Sequence, residues 1–107
     1  MRRLRVRWSP SASSDFIEIL EFISRDQPAA ARKAGRRILS AAASLGRNPR
    51  QGRTLPELWE HGIPGYREIV IPPYRIIYAI RADCVDVLAV LDGRRDLMSL
   101  LLQRLMR

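Results

Sequence analysis

Apolar and polar residues alternate at the start of the chain. In "LRVRW", Leu4, Val6 and Trp8 are separated by Arg5 and Arg7, the two-residue period of a half-buried strand. Ser9 then reads as a helix N-cap with Pro10 in the first helical position, and Ala12, Phe16, Ile19, Leu20 and Ile23 recur at helical spacing as far as Arg25-Asp26. Pro28 restarts a helix with Ala30, Ala34, Ile38, Ala41 and Leu45 along one side, and Gly46 is placed to end it. The small residues of this second helix, Gly35 among them, predict close packing against the first in an antiparallel hairpin joined by "RDQP". Its basic face (Arg32, Lys33, Arg36, Arg37) would meet Asp15, Glu18 and Glu21 of the first helix in weak surface ion pairs.

The segment "RNPRQGRTLPELWEHGIPG" has no sustained period and reads as a loop, with a short strand around Thr54 to Leu58. Three strand runs follow, 66–71, 74–80 and 85–91, separated by turns short enough for antiparallel hairpins. Asp96 is positioned to cap a last helix, "LMSLLLQRLMR". The predicted class is α+β in a single domain over 1–107. An N-terminal strand leads to an antiparallel two-helix hairpin, then to a three- to four-stranded, mostly antiparallel curved sheet and a short C-terminal helix. With the hairpin on one face, the other face is expected to be open, and Arg67 and Arg75 to face solvent across it.

Composition narrows the partners. The 107 residues carry a formal charge of +8, almost all of it from arginine, with Lys33 the single lysine. That balance favours an anionic partner, either nucleic acid or an acidic protein. One cysteine, Cys84, excludes an internal disulfide, and one histidine, His61, leaves no ligand set for zinc, so no metal and no cofactor are expected. No stretch reaches the ~18 apolar residues of a membrane span, and no signal peptide is visible, so a cytoplasmic protein without membrane contacts is predicted.

The order and spacing of "VRWSPSASSDFIEILEFI", "ILSAAASLGRNPRQGR", "GYREIVIPPYRIIYAI" and "VDVLAVLDGRRDL" resemble the RelE/ParE superfamily of bacterial toxins from type II toxin-antitoxin modules, over nearly the whole chain. The resemblance implies the same strand, hairpin and sheet fold, a role in plasmid stabilisation, and a cognate antitoxin partner in a heterotetramer. Activity divides within the superfamily. RelE-like members cut messenger RNA on the ribosome, whereas ParE-like members poison DNA gyrase. By matched position, Arg67, Arg75 and Arg94 or Arg95 fall where the nucleases carry basic residues. The next basic position is Ile69 here, and Leu100 and Leu101 stand where a C-terminal tyrosine or histidine would be.

Metal-free RNA cleavage requires proton transfer as well as charge neutralisation. A guanidinium with its pKa above ~12 is a poor proton carrier. The reading is therefore a ParE-like gyrase inhibitor rather than an enzyme, with a RelE-like ribosome-dependent endoribonuclease as the alternative and a non-toxic binding module on the same fold as a third. In the nuclease case Arg67, Arg75 and Arg94 would be catalytic. The candidate binding residues are Arg67, Tyr74, Arg75, Tyr78, Arg94 and Arg95, with Leu97, Leu101 and Leu105 docking on the sheet. Met98, Leu100, Leu102 and Met106 are then left for another surface, which an acidic antitoxin would cover together with the arginines.

Overall fold

Five strands and a helical hairpin make up the computed structural model, which describes residues 3–93, 99–100 and 103–104. The elements run β1 (Arg5–Trp8), α1 (Pro10–Ser24), α2 (Pro28–Ser44), β2 (Arg53–Thr54), α3 (Pro56–Trp59), β3 (Tyr66–Ile71), β4 (Tyr74–Ile80) and β5 (Cys84–Asp92). The sheet order is β1-β5-β4-β3-β2, an open mixed sheet in which β1 runs parallel to β5 and the other pairs are antiparallel. The fold is thus α+β, as the periodicity predicted. Of the expected C-terminal helix, Ser99, Leu100, Gln103 and Arg104 are helical; Leu97, Leu101, Leu105, Arg94 and Arg95 lie outside the described residues. Among the described residues no helix is long and apolar enough to cross a membrane.

The start of α1 is built as its sequence suggests. The Ser9 hydroxyl accepts the Ala12 N–H at 3.0 Å, and Pro10 occupies the first turn, where a missing N–H costs nothing. In α2 the buried residues are Ala31, Gly35, Ile38 and Ala42, a face turned by about one residue from the expected one. Gly35 suits that rotation: a β-carbon there would lie 3.3 Å from the Leu20 side chain, which packs directly onto the glycine. Among the described residues no ion pair joins α1 to α2, and Asp15 instead faces inward. Gly46 follows α2 without left-handed geometry, which among the described glycines belongs to Gly62 and Gly65. Gly46 is needed for space, because a β-carbon would lie 2.7 Å from the Leu4 carbonyl oxygen, whose residue donates its own N–H to Gly46 at 2.8 Å.

Two apolar clusters form, one on each face of the sheet. Ala12, Ile38, Ala42 and Leu45 of the hairpin pack against Ile76, Tyr78, Val85, Val87 and Val90. On the other face Leu55 and Leu58 pack against Ile77, Ala89 and Leu91, with Ile63, Tyr66 and Leu100 at the margin. This second cluster corrects the expectation of an open face. The segment 54–58 turns from strand into the short helix α3, whose Leu58 caps the sheet, and Leu100 docks there rather than remaining free for a partner.

A bulge in β5 explains how one strand serves both clusters. Ile77 pairs with Ala89 but Tyr78 with Val87, so Leu88 is the extra residue and the alternation of faces shifts by one. Val85 and Val87 therefore share the helical face with Val90, while Ala89 and Leu91 turn to the other.

Candidate functional site: the arginine and carboxylate cluster

The two-residue turn between β3 and β4, Pro72-Pro73 with a cis peptide bond, leaves Ile71 opposite Tyr74, Ile69 opposite Ile76 and Arg67 opposite Tyr78. On the same ladder Val70 lies opposite Arg75 and Glu68 opposite Ile77. Paired residues share a face and neighbours alternate, so Arg67 and Arg75 are on opposite faces of the sheet. Arg67 is on the helical side with Tyr74 and Tyr78, and Arg75 is on the α3 side with Glu68.

Arg75 does not face solvent freely, because its side chain is 13 % exposed and held by two carboxylates. Its Nε donates to Glu68 Oε1, and its two terminal nitrogens donate to Glu57 at 2.9 and 3.1 Å in a bidentate pair. Glu68 is fully buried, and its second oxygen accepts from Arg53 Nε at 2.5 Å. Two arginines and two carboxylates thus neutralise one another at the edge of the α3 cluster. The Arg75 hydrogen bonds hold the Glu57 carboxyl below its ordinary range, against the opposing effect of burial. Burial disfavours the charged Arg75 guanidinium, but the hydrogen bonds to Glu57 and Glu68 outweigh it and raise its pKa.

On the helical face Tyr78 is buried, and its hydroxyl bridges two backbone groups. It donates to the Pro49 carbonyl at 2.7 Å and accepts the Gly52 N–H at 3.0 Å, while Arg67 donates to the Gly52 carbonyl at 2.7 Å. Burial raises the Tyr78 pKa, with the Gly52 hydrogen bond and the Arg67 charge acting against the rise. Gly52 fits only as glycine, since a β-carbon would overlap the Glu68 carbonyl oxygen and lie 2.6 Å from the Tyr78 hydroxyl. Tyr74 is half-buried against the same core, so the two tyrosines are packed from the inside. Ile69 also packs there. His61 follows α3 and donates its Nδ1–H to the Glu57 carbonyl at 3.0 Å on an exposed surface.

Asp15, expected in a surface ion pair with α2, has a different role. Strand β5 continues past the end of β1, which leaves the Val90 N–H without a strand partner on that edge. Asp15 of α1 accepts it at 3.0 Å and takes a bidentate pair from Arg104 at 2.6 and 2.7 Å. The Asp15 hydrogen bonds raise the Arg104 pKa, against the effect of burial. Nearby, the Ser9 hydroxyl donates to the carbonyl of the bulged Leu88 at 3.3 Å. The first turn and a half of α1 therefore completes the backbone hydrogen bonding of β5.

Residues 6–97 match the family model of the ParE toxin of the type II toxin-antitoxin system, parDE. This chain belongs to the ParE toxin family. It is 30 % identical over 95 residues to Toxin RelE2 of Caulobacter vibrioides, covering 85 % of this chain and 97 % of that one. To Y4kP of Sinorhizobium fredii it is 34 % identical over 98 residues, covering 90 % and 95 %. Among solved structures, the chromosomal ParDE system of P. aeruginosa contains a chain with the same fold (TM-score 0.69, 19 % identity, 84 % of this chain and 96 % of that one). The YoeB dimer of Staphylococcus aureus shares it more loosely (TM-score 0.57, 17 % identity, 81 % and 93 %). The ParE-family chain is accordingly a toxin of a type II toxin-antitoxin module in the ParE/RelE superfamily, and that membership implies an antitoxin partner.

Proposed function

We propose that this toxin inhibits DNA gyrase by binding and carries out no chemistry of its own. The observation that supports this reading is the state of Arg75. The arginine that a nuclease would turn toward phosphate is held by Glu57 and Glu68, so an incoming anion would have to displace two carboxylates from it. Proton transfer is poorly served nearby as well. Glu57, with its pKa lowered by Arg75, is a weak base and is ionised at neutral pH, far from the matched pKa of an efficient general acid. Ile69 packs half-buried against the helical-face core, and Arg67 is on that face too, opposite to Arg75.

The alternative, a ribosome-dependent endoribonuclease, draws on the name of the RelE2 relative and on the carboxylates beside Arg75, either of which could accept a proton once an RNA phosphate took over the guanidinium. For the antitoxin, a partly disordered acidic chain suits a surface of +8 charge with Ile17, Phe22 and Leu39 exposed on the hairpin, Leu39 lining a groove of about 530 Å³ between α1 and α2. Arg94, Arg95, Leu97, Leu101 and Leu105 are proposed as further contacts of such a partner in a cytoplasmic complex, with the whole chain acting as one domain.

The deciding experiment incubates purified toxin with gyrase and supercoiled DNA, and in parallel with programmed ribosomes. Trapped gyrase cleavage complexes and intact messenger RNA are expected. Codon-dependent RNA cleavage that Glu57→Gln abolishes, with gyrase unaffected and the variant's circular dichroism unchanged, would overturn the gyrase reading and support the ribonuclease.

A further inference from the structure

The four-membered cluster uses up the carboxylates of this part of the sheet, and two arginines beside it are left over. Arg53 and Arg75 are paired with Glu57 and Glu68, whereas Arg50 and Arg67 have no carboxylate partner among the described residues. Arg67 spends one N–H on the Gly52 carbonyl and keeps the rest of its donors. Both line a cavity of about 340 Å³ at the start of β3, together with Trp59, Tyr66, Thr54 and Gly65.

Trp59 is the unusual member. It is 62 % exposed at the end of α3, although the other tryptophan, Trp8, is half-buried edge-on to Phe16 at the margin of the hydrophobic core. A second cavity, of about 240 Å³, is bounded by Trp59, Thr54 and Pro56, so the indole stands between two open spaces. Gly65, at φ +95°, leaves open space where a side chain would otherwise stand. The neighbouring Glu60 is exposed and does not line either cavity.

We infer that this margin binds a single strand of nucleic acid, with a base stacked on Trp59 and the flanking phosphates against Arg50 and Arg67. An exposed aromatic beside unneutralised guanidinium groups is the combination that single-strand sites use, since every base offers a π-face and every nucleotide a charge. A peptide of acidic residues would satisfy the arginines but would make no use of an indole that borders two slots. Arg75 lines neither cavity, and the site does not depend on whether the toxin acts on gyrase or on ribosomes.

The test titrates purified toxin into fluorescent twelve-nucleotide oligo-dT, oligo-rU and a duplex of the same length, at several salt concentrations and with neither gyrase nor ribosomes present. Tighter binding to either single strand than to duplex is expected, and the pair of single-strand arms shows whether the sugar matters. Trp59→Ala should weaken single-strand binding by about 5- to 150-fold, and Trp59→Phe should restore most of it. Arg50→Ala should lower the slope of log K against log salt by about 0.7, the value for one phosphate contact on a single strand. The paired substitution Arg36→Ala, Arg37→Ala on α2 should leave the preference for single strands intact. If Trp59→Ala binds as tightly as wild type, as it would were Trp59 a contact for a protein partner, or if duplex is preferred, the proposal fails.

Discussion

Arginine in a β-strand reads as surface chemistry, but Arg75 is better understood as a structural cation. Its removal leaves Glu68 buried with only Arg53 to balance it, and breaking such a pair costs ~3–5 kcal/mol, so Arg75→Ala should lower unfolding free energy by about that much in urea titration. Glu57 makes the same cluster pH-sensitive. Its folded pKa lies below its unfolded value of about 4.3, so the stabilisation is complete above that value and is lost as pH falls through the folded pKa. Thermal melts of wild type should therefore decline below about pH 4.3, and Glu57→Gln should be less stable at neutral pH with a shallower acid decline. Tyr78 provides a test on the other face. Tyr78→Phe strands the Gly52 N–H and the Pro49 carbonyl and should cost about 1–3 kcal/mol, with the core otherwise unchanged. Residue chemistry was only partly legible in the sequence. The basic residues were evident, but the faces they occupy depend on register, and the turn Pro72-Pro73 that fixes it puts Arg67 and Arg75 on opposite sides. The carboxylates that neutralise Arg75 come from seven and eighteen positions away, spacings that no periodicity encodes: one from the neighbouring strand, one from α3.

The elements themselves followed from pattern wherever the pattern was long. Strands 66–71 and 74–80 appear with the predicted limits, and the helices begin at their prolines. Two features escaped for local reasons. Segment 56–59 is a single helical turn, too short to display a period, and the bulge at Leu88 breaks the alternation on which a strand's faces are read. The bulge and the overhang of β5 beyond β1 also create a demand for a buried acceptor, which Asp15 meets. Asp15→Ala would leave the Val90 N–H and the Arg104 guanidinium unpaired at once. A loss of ~3–5 kcal/mol is expected in chemical denaturation, with faster trypsin cleavage after Arg104 under native conditions. Asp15→Asn, which keeps one acceptor, should lose less.

At the scale of the whole molecule, a charge of +8 and exposed Ile17, Phe22 and Leu39 describe a chain made to be covered. Co-expression with the acidic antitoxin proposed above should yield a stable complex. Because a ligand that binds only the folded state adds RT ln(1 + [L]/Kd), a partner at about a hundred times its Kd should stabilise the toxin by ~2.7 kcal/mol, visible as a higher Tm that depends on antitoxin concentration. Phe22→Asp should reduce that shift without changing the Tm of the toxin alone.

The parallel pairing of β1 with β5 has a consequence in time. Arg7 and Asp86, which meet across that pair, are 79 positions apart, so the first strand made is among the last to find its neighbour. At ~5–20 residues added per second, the ribosome takes roughly 4–16 s to synthesise the intervening chain, and the exit tunnel lengthens the wait. Until then the helical hairpin lacks Val85, Val87 and Val90, the β5 part of the surface it packs on. The five-stranded sheet is therefore completed only after β5 has emerged, and the first strand waits longest of all for its neighbour.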